Sequence, residues 1–146
     1  MHVVSETLLA SVSDTTTPQG IVVLAERPRT DGDAFAAKLA GEALPLLVIL
    51  HGISNPANAG SVLRAAEAAG ACGAVAVKNT ADLFSPKALR GAMGSSLRLP
   101  IWMSPAFADV VAWCNRRELR VICSDTRARQ TYTEFDWRER SLSRRR

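Results

Sequence analysis

The stretch Asn55-Pro56-Ala57-Asn58-Ala59-Gly60-Ser61-Val62-Leu63-Arg64 follows an apolar run at 46–50 and opens an alanine-rich amphipathic segment. That order reads as strand, tight turn, helix. Turn chemistry accounts for Pro56 and Gly60. It leaves Asn55, Asn58 and the cation Arg64 unexplained; a site for a polar, partly anionic ligand explains all three. Gly60, Arg64 and Glu67 fall at i, i+4 and i+7, one polar stripe, with Val62, Ala65, Ala66 and Ala69 on the other face. Helical side chains lean toward the N-terminus, so a glycine one turn before Arg64 leaves open space over that turn. A ligand reaches the backbone there, and the free N–H groups of a helix start suit an anion. In the competing reading Arg64 pairs with Glu67 at i, i+3 as a surface ion pair.

Outward from this stretch, strands and helices alternate. Helices are expected at 6–12, at 58–69 closed by Gly70, from Ser85-Pro86 to Gly91 or Gly94, and after Ser104-Pro105, where Phe107, Val110, Val111 and Cys114 share one face. Strands are expected at 21–25, 46–50, 74–77, 100–103 and 119–123, with 34–40 a helical turn or a mobile connector. Alternating βα units imply an α/β fold with a parallel sheet. Ligands of open α/β sheets bind beyond the carboxyl ends of the strands. Three such ends carry chemistry: the loop from His51 to Gly60, Lys78-Asn79-Thr80 with the run from Ser85 to Arg90, and Ser124-Asp125-Thr126. They are expected to converge on one edge.

Length and composition frame this reading. The 146 residues, 47% hydrophobic and 5% aromatic, fit one globular α/β domain with a real core. No apolar run approaches the roughly 20 residues of a membrane helix, and the first residues lack a basic stretch followed by a sustained apolar one, so neither a membrane partner nor a signal peptide is expected. Cys72, Cys114 and Cys123 have no CxxC spacing and read as reduced core thiols of a cytoplasmic protein. With two scattered histidines, no metal site is expected. The net charge of +4 is uneven: residues 1–115 hold 8 Lys/Arg against 9 Asp/Glu, residues 116–146 hold 10 against 5. The C-terminal part is therefore the basic one, through nucleic-acid contact or as a solvated tail. There is no GxxxxGK[ST], no GxGxxG and no GxSxG, which sets aside P-loop, dinucleotide-binding and serine-hydrolase readings.

The segment from Asn55 through Asn58, Gly60 and Arg64 to Gly70 resembles the first motif of the SpoU-type (TrmH-like) RNA ribose methyltransferases, of the knotted SPOUT class. Ser85-Pro86-Lys87-Ala88-Leu89-Arg90-Gly91-Ala92-Met93-Gly94-Ser95-Ser96-Leu97-Arg98-Leu99-Pro100 resembles the second, in the same order and at the same separation. The similarity runs from about Ser11 to about Leu142. Ala92 departs from it, since many members carry Ser there. The family's third motif, a Gly-x-Glu-Gly-x-Gly loop with the segments after it, is absent: Arg138-Glu139-Arg140-Ser141-Leu142 looks like its approach. The expectation is a C-terminally incomplete, Rossmann-like SPOUT (α/β knot) domain over 1–142, with 1–20 a remnant linker from an upstream RNA-binding domain and 143–146 a basic tail.

The resemblance implies methyl transfer from S-adenosylmethionine to a ribose 2′-hydroxyl of rRNA or tRNA, without a metal. It gives Arg64 the central role, as an orienting donor to developing alkoxide or to the adjacent phosphate. Asn58 would hold the turn and Arg64 in place, or contact RNA. Asn55, Gly60, Lys87 and Arg90 would face RNA, and Ser124, Asp125 and Thr126 would line the donor pocket. The resemblance further implies a homodimer in the complete protein. Without the third motif this chain alone is expected to be inactive. The alternatives are a non-catalytic RNA-binding module and a generic nucleotide-binding α/β domain.

Overall fold

The computed structural model describes residues 2–13, 15, 17–42, 45–125 and 127–134. Its elements run α1 (Glu6–Val12), α2 (Gly32–Lys38), β1 (Leu47–Leu50), α3 (Pro56–Ala68), β2 (Gly73–Ala76), α4 (Pro86–Ala92), α5 (Ser95–Arg98), β3 (Ile101–Met103) and α6 (Phe107–Arg116). The three strands form one parallel sheet in the order β1-β2-β3. Leu50 lies beside Ala76, and Ala76 beside Met103, so the carboxyl ends align in one row. The central strand is buried at every position, as a parallel strand covered on both faces must be.

Alternation along β2 divides the core between the two faces of the sheet. Ala74 and Ala76 join Leu50, Leu63, Leu83 and Ile101 on the α3–α5 side. Val75 and Val77 join Phe35, Leu39, Val110 and Trp113 on the α2–α6 side. Residues 34–40 are no mobile connector. Asp31 caps α2 by accepting the Ala34 N–H at 2.9 Å, and Phe35 is buried between Trp102 and Trp113, with ring centroids 6.1 and 5.6 Å away. Burial of that aromatic trio also rotates α6. Val110, Trp113 and Cys114 face inward, while Phe107 stays 45% exposed, away from the face the spacing gave it.

Two expected strands are not strands. Residues 21–25 have no regular secondary structure and are exposed, Leu24 at 97%, and residues 119–123 run irregularly, with Leu119 and Val121 half-buried against the second core. A strand needs a ladder partner for its backbone groups. Neither segment has one among the described residues.

The crossing of α3 over α4 has almost no space in it. A Cβ at Gly60 would clash with the Ala88 carbonyl oxygen and lie 2.8 Å from the Ala92 nitrogen; one at Gly91 would lie 2.7 Å from the Ala57 carbonyl oxygen. The room over Gly60 is thus filled by α4 and is not an approach for RNA, which corrects the sequence expectation. Gly60→Ala should cost ~1–3 kcal/mol by overpacking, read as a lower urea midpoint. Gly41→Ala is the control: its added Cβ meets nothing within 4 Å and should shift stability by less than ~0.5 kcal/mol. Equal midpoints for the two variants would discard the crossing as a constraint.

Candidate functional site

The aligned strand ends bring three loops together. The Thr80 hydroxyl donates to the Leu50 carbonyl at 3.0 Å and accepts the Gly52 N–H at 3.2 Å, and the Ala81 N–H donates to the Ile53 carbonyl at 2.8 Å. The loops after β1 and β2 are thereby tied. The third loop joins through the Ser104 N–H to the Ala76 carbonyl (2.8 Å) and the Lys78 N–H to the Pro105 carbonyl (3.0 Å).

Helix α3 starts at Pro56, two residues earlier than the sequence suggests, because Asn55 is its N-cap. The Asn55 Oδ1 accepts the Ala57 N–H at 2.9 Å and the Asn58 N–H at 3.3 Å, satisfying two of the free donors of a helix start. Holding the turn is therefore the work of Asn55, not of Asn58. The exposed Asn58 side chain has no hydrogen-bond partner among the described residues. It stands about 120° around the helix from Arg64.

Arg64 is exposed, and among the described residues it has no ion-pair partner. The surface-pair reading fails because Glu67 is taken. Arg98 grips Glu67 with two hydrogen bonds, 2.6 and 2.7 Å, and the Ser95 hydroxyl donates a third. Arg64 thus sits on the stripe between two anchors: Gly60 docked on α4, and Glu67 clamped to α5. Residues 45–105 contain only two acids, Glu67 and Asp82. Asp82 is likewise occupied, by Arg27 at 2.8 Å, with the Arg27 guanidinium 4.6 Å over the Phe84 ring. Arg64, Lys78 and Lys87 remain exposed and without an ion-pair partner among the described residues, whereas Arg90, also exposed, has an interaction of its own.

Residues 45–143 match the family model described as the SpoU rRNA methylase family. The chain belongs to that family. Its relatives include the mitochondrial rRNA methyltransferase 3B of Danio rerio, 37% identical over 67% of this chain and 22% of the relative. The 23S rRNA (guanosine(2553)-2′-O)-methyltransferase RlmP of Bacillus subtilis is 34% identical over 68% of this chain and 37% of the relative. The chain thus spans well under half the length of these relatives. Among solved structures, the AdoMet-bound rRNA methyltransferase of Sinorhizobium meliloti superposes with a TM-score of 0.67 at 27% identity, over 79% of this chain and 42% of that one. The SpoU methyltransferase AviRb of Streptomyces viridochromogenes, with AdoMet, gives 0.55 at 32% identity, over 63% and 35%.

The third expected loop does not join this SpoU-family edge. Asp125 accepts its own neighbour Arg127, from the N–H at 2.8 Å and Nε at 3.3 Å, in a local turn that holds its carboxyl below the usual range. No hydrogen bond among the described residues ties Ser124 or Asp125 to the first two loops, and Thr126 lies outside the described residues. A cavity of about 370 Å³ lined by Asp33, Trp102, Asp109, Trp113 and Arg116 is on the α2–α6 face and draws on none of the edge loops.

Sequence reasoning missed the Glu67–Ser95–Arg98 bridge, which links the two motifs. The signal was present: an acid on the α3 stripe, and a hydroxyl and a cation three residues apart in the second motif. The Arg98 hydrogen bonds, then the Ser95 hydroxyl, hold the Glu67 carboxyl at about 2, down from its ordinary 4.5, against partial desolvation. A depressed carboxylate stabilises the fold above its unfolded value and loses that contribution as pH falls through the folded value. Thermal unfolding should therefore show a wild-type advantage over Glu67→Gln that is full above pH 4.5 and fades toward pH 2. A pH-independent difference would contradict the clamp. At the helix start, Asn55→Ala should cost ~1 kcal/mol and Asn58→Ala almost nothing in the same assay.

Proposed function

We propose that this chain is part of an enzyme that transfers the methyl group of S-adenosylmethionine to a ribose 2′-hydroxyl of RNA, with rRNA as the substrate class. Family membership and the relatives named as rRNA 2′-O-methyltransferases support this reading. The observation that carries it is Arg64: exposed, unpaired among the described residues, and launched from a helix fixed on both sides of it.

S-adenosylmethionine supplies an electrophilic methyl. The ribose oxygen that accepts it must be aimed and must shed its proton. A guanidinium is a poor proton acceptor at neutral pH, so the hydroxyl proton passes to solvent water and Arg64 acts as a hydrogen-bond donor. It donates hydrogen bonds to the developing alkoxide or to the neighbouring phosphate, where negative charge is concentrated. Lys87 and Lys78 add positive charge for the RNA backbone, and Asn58 offers an amide to the same strand. Asn55 serves the site by capping α3, with its amide nitrogen turned to RNA as a second role. Arg90 belongs to this face as a phosphate contact. Ser124 and Asp125 keep their expected place at the donor side, with no hydrogen bond among the described residues to the loops named above, which make up the RNA side of the reaction. A homodimer and a cytoplasmic location are part of the same proposal.

The test transplants residues 45–143 into the matching segment of the Bacillus subtilis relative and reads 2′-O-methylation of its rRNA by mass spectrometry. Methylation by the chimera, lost about 10²–10³-fold in Arg64→Ala with the melting temperature unchanged, is the expected result. Full activity of that variant would remove Arg64 from the mechanism. A folded chimera that binds rRNA without methylating it would favour the non-catalytic RNA-binding reading.

A further inference from the structure

Among the described residues, an aromatic pair stands at the carboxyl edge of the sheet and is open to solvent. His51 leaves β1 and meets Phe107, in the first turn of α6, with 5.2 Å between ring centroids and 74° between planes. His51 is exposed and Phe107 is 45% exposed, although the inward face of α6 has room in sequence for apolar side chains and uses them at Val110, Trp113 and Cys114. An edge-on pair engages the face of only one ring, so it leaves stacking faces available.

The backbone beneath the pair is fixed. Lys78 donates its N–H to Pro105, two residues before Phe107, and Gly52, next to His51, donates to Thr80, two residues after Lys78. His51, Lys78 and Phe107 therefore form one surface built on three adjacent strand ends. Lys78 is exposed and has no ion-pair partner among the described residues. Both acids of residues 45–105 are paired with arginines, and Asp109, exposed in the first turn of α6, is the carboxylate two residues after Phe107. Two flat rings, one of them apolar, on a surface that also carries an exposed cation match a nucleobase and its phosphate. Double-helical RNA hides its base faces, whereas an unstacked nucleotide exposes them.

We propose that His51 and Phe107 seat an unpaired RNA base, with Lys78 at its phosphate. This rests on the RNA reading above and adds to it the form of the substrate: single-stranded or splayed out at the site. The test measures binding of a short single-stranded RNA carrying one 2-aminopurine, and of the same sequence as a duplex, to the full 146-residue chain. Phe107→Leu keeps apolar volume and removes the π face; it should weaken single-strand binding about tenfold, as loss of one stacked base does, and abolish 2-aminopurine quenching. Phe107→Trp should preserve both, His51→Ala should behave like Phe107→Leu, and duplex binding should be unmoved by all three. Circular dichroism verifies that each variant is folded. Unchanged single-strand affinity and quenching in Phe107→Leu overturn the seat, while continued, salt-sensitive RNA binding that Lys87→Ala weakens leaves the broader RNA reading standing. No binding of either RNA by the unaltered chain overturns both.

Discussion

Backbone meets backbone where α3 crosses α4, and the geometry of the site follows from that contact. Gly60 lies against Ala88 and Ala92, and Gly91 against Ala57, with no room for a side chain at either glycine. Small residues on both helices let the axes approach closely and gain dispersion contacts along the whole crossing. The approach also fixes the rotation of α3 about its own axis. A helix free to roll would carry Arg64 with it; this one is held by Gly60 one turn before the arginine and by Glu67 three residues after it. The Asn55 cap fixes where the helix begins, and the parallel register fixes where β1 delivers the chain to that cap.

The charges are arranged by subtraction. Arg98–Glu67 and Arg27–Asp82 are partly exposed pairs, and pairs of that kind contribute little to folding. Their larger consequence is electrostatic. They pair off the only acids in residues 45–105, so Arg64, Lys78 and Lys87 face no unpaired carboxylate from that stretch. Each pair also joins elements distant in sequence: α3 to α5 in one case, and the segment before α2 to the loop after β2 in the other. The same two contacts thus tie the elements of the edge together and occupy the acids of residues 45–105.

Most of the architecture was legible because it rests on local signals. The apolar run that forms β1, the small buried strand β2, and the Ser85-Pro86 start of α4 all declare themselves in sequence. Failures came where a long-range partner decides. Residues 21–25 have strand composition but no ladder among the described residues, and residues 119–123 share that fate. Phe107 has the right spacing for the core, yet Trp113 wins because its ring completes the contact with Phe35 and Trp102. At the site, the position of Arg64 was readable from helical period alone. Its freedom was not, since that depends on Arg98 taking Glu67 from a segment 31 residues away. Gly60 was read as open because one helix was considered without the second that packs on it. The recurring small residues, Ala57, Gly60 and Ser61 in one motif and Ala88, Gly91 and Ala92 in the other, carry that signal.

In the role proposed for it, Arg64 faces a conflict that this arrangement resolves. A guanidinium held by a carboxylate is well placed, but its donors are spent and its charge is offset; one with no neighbours keeps its donors but starts from a poorly defined point. Here the constraint is applied to the backbone of α3 and not to the guanidinium. Among the described residues nothing takes up a donor of Arg64, and what remains to be fixed on binding is side-chain rotamer entropy, about 2 kcal/mol for arginine. A charge-assisted contact to a phosphate or a developing alkoxide outweighs that cost where water is excluded. The acid that would otherwise hold Arg64 is itself satisfied by Ser95 and Arg98, so the same clamp that orients the helix keeps its arginine available.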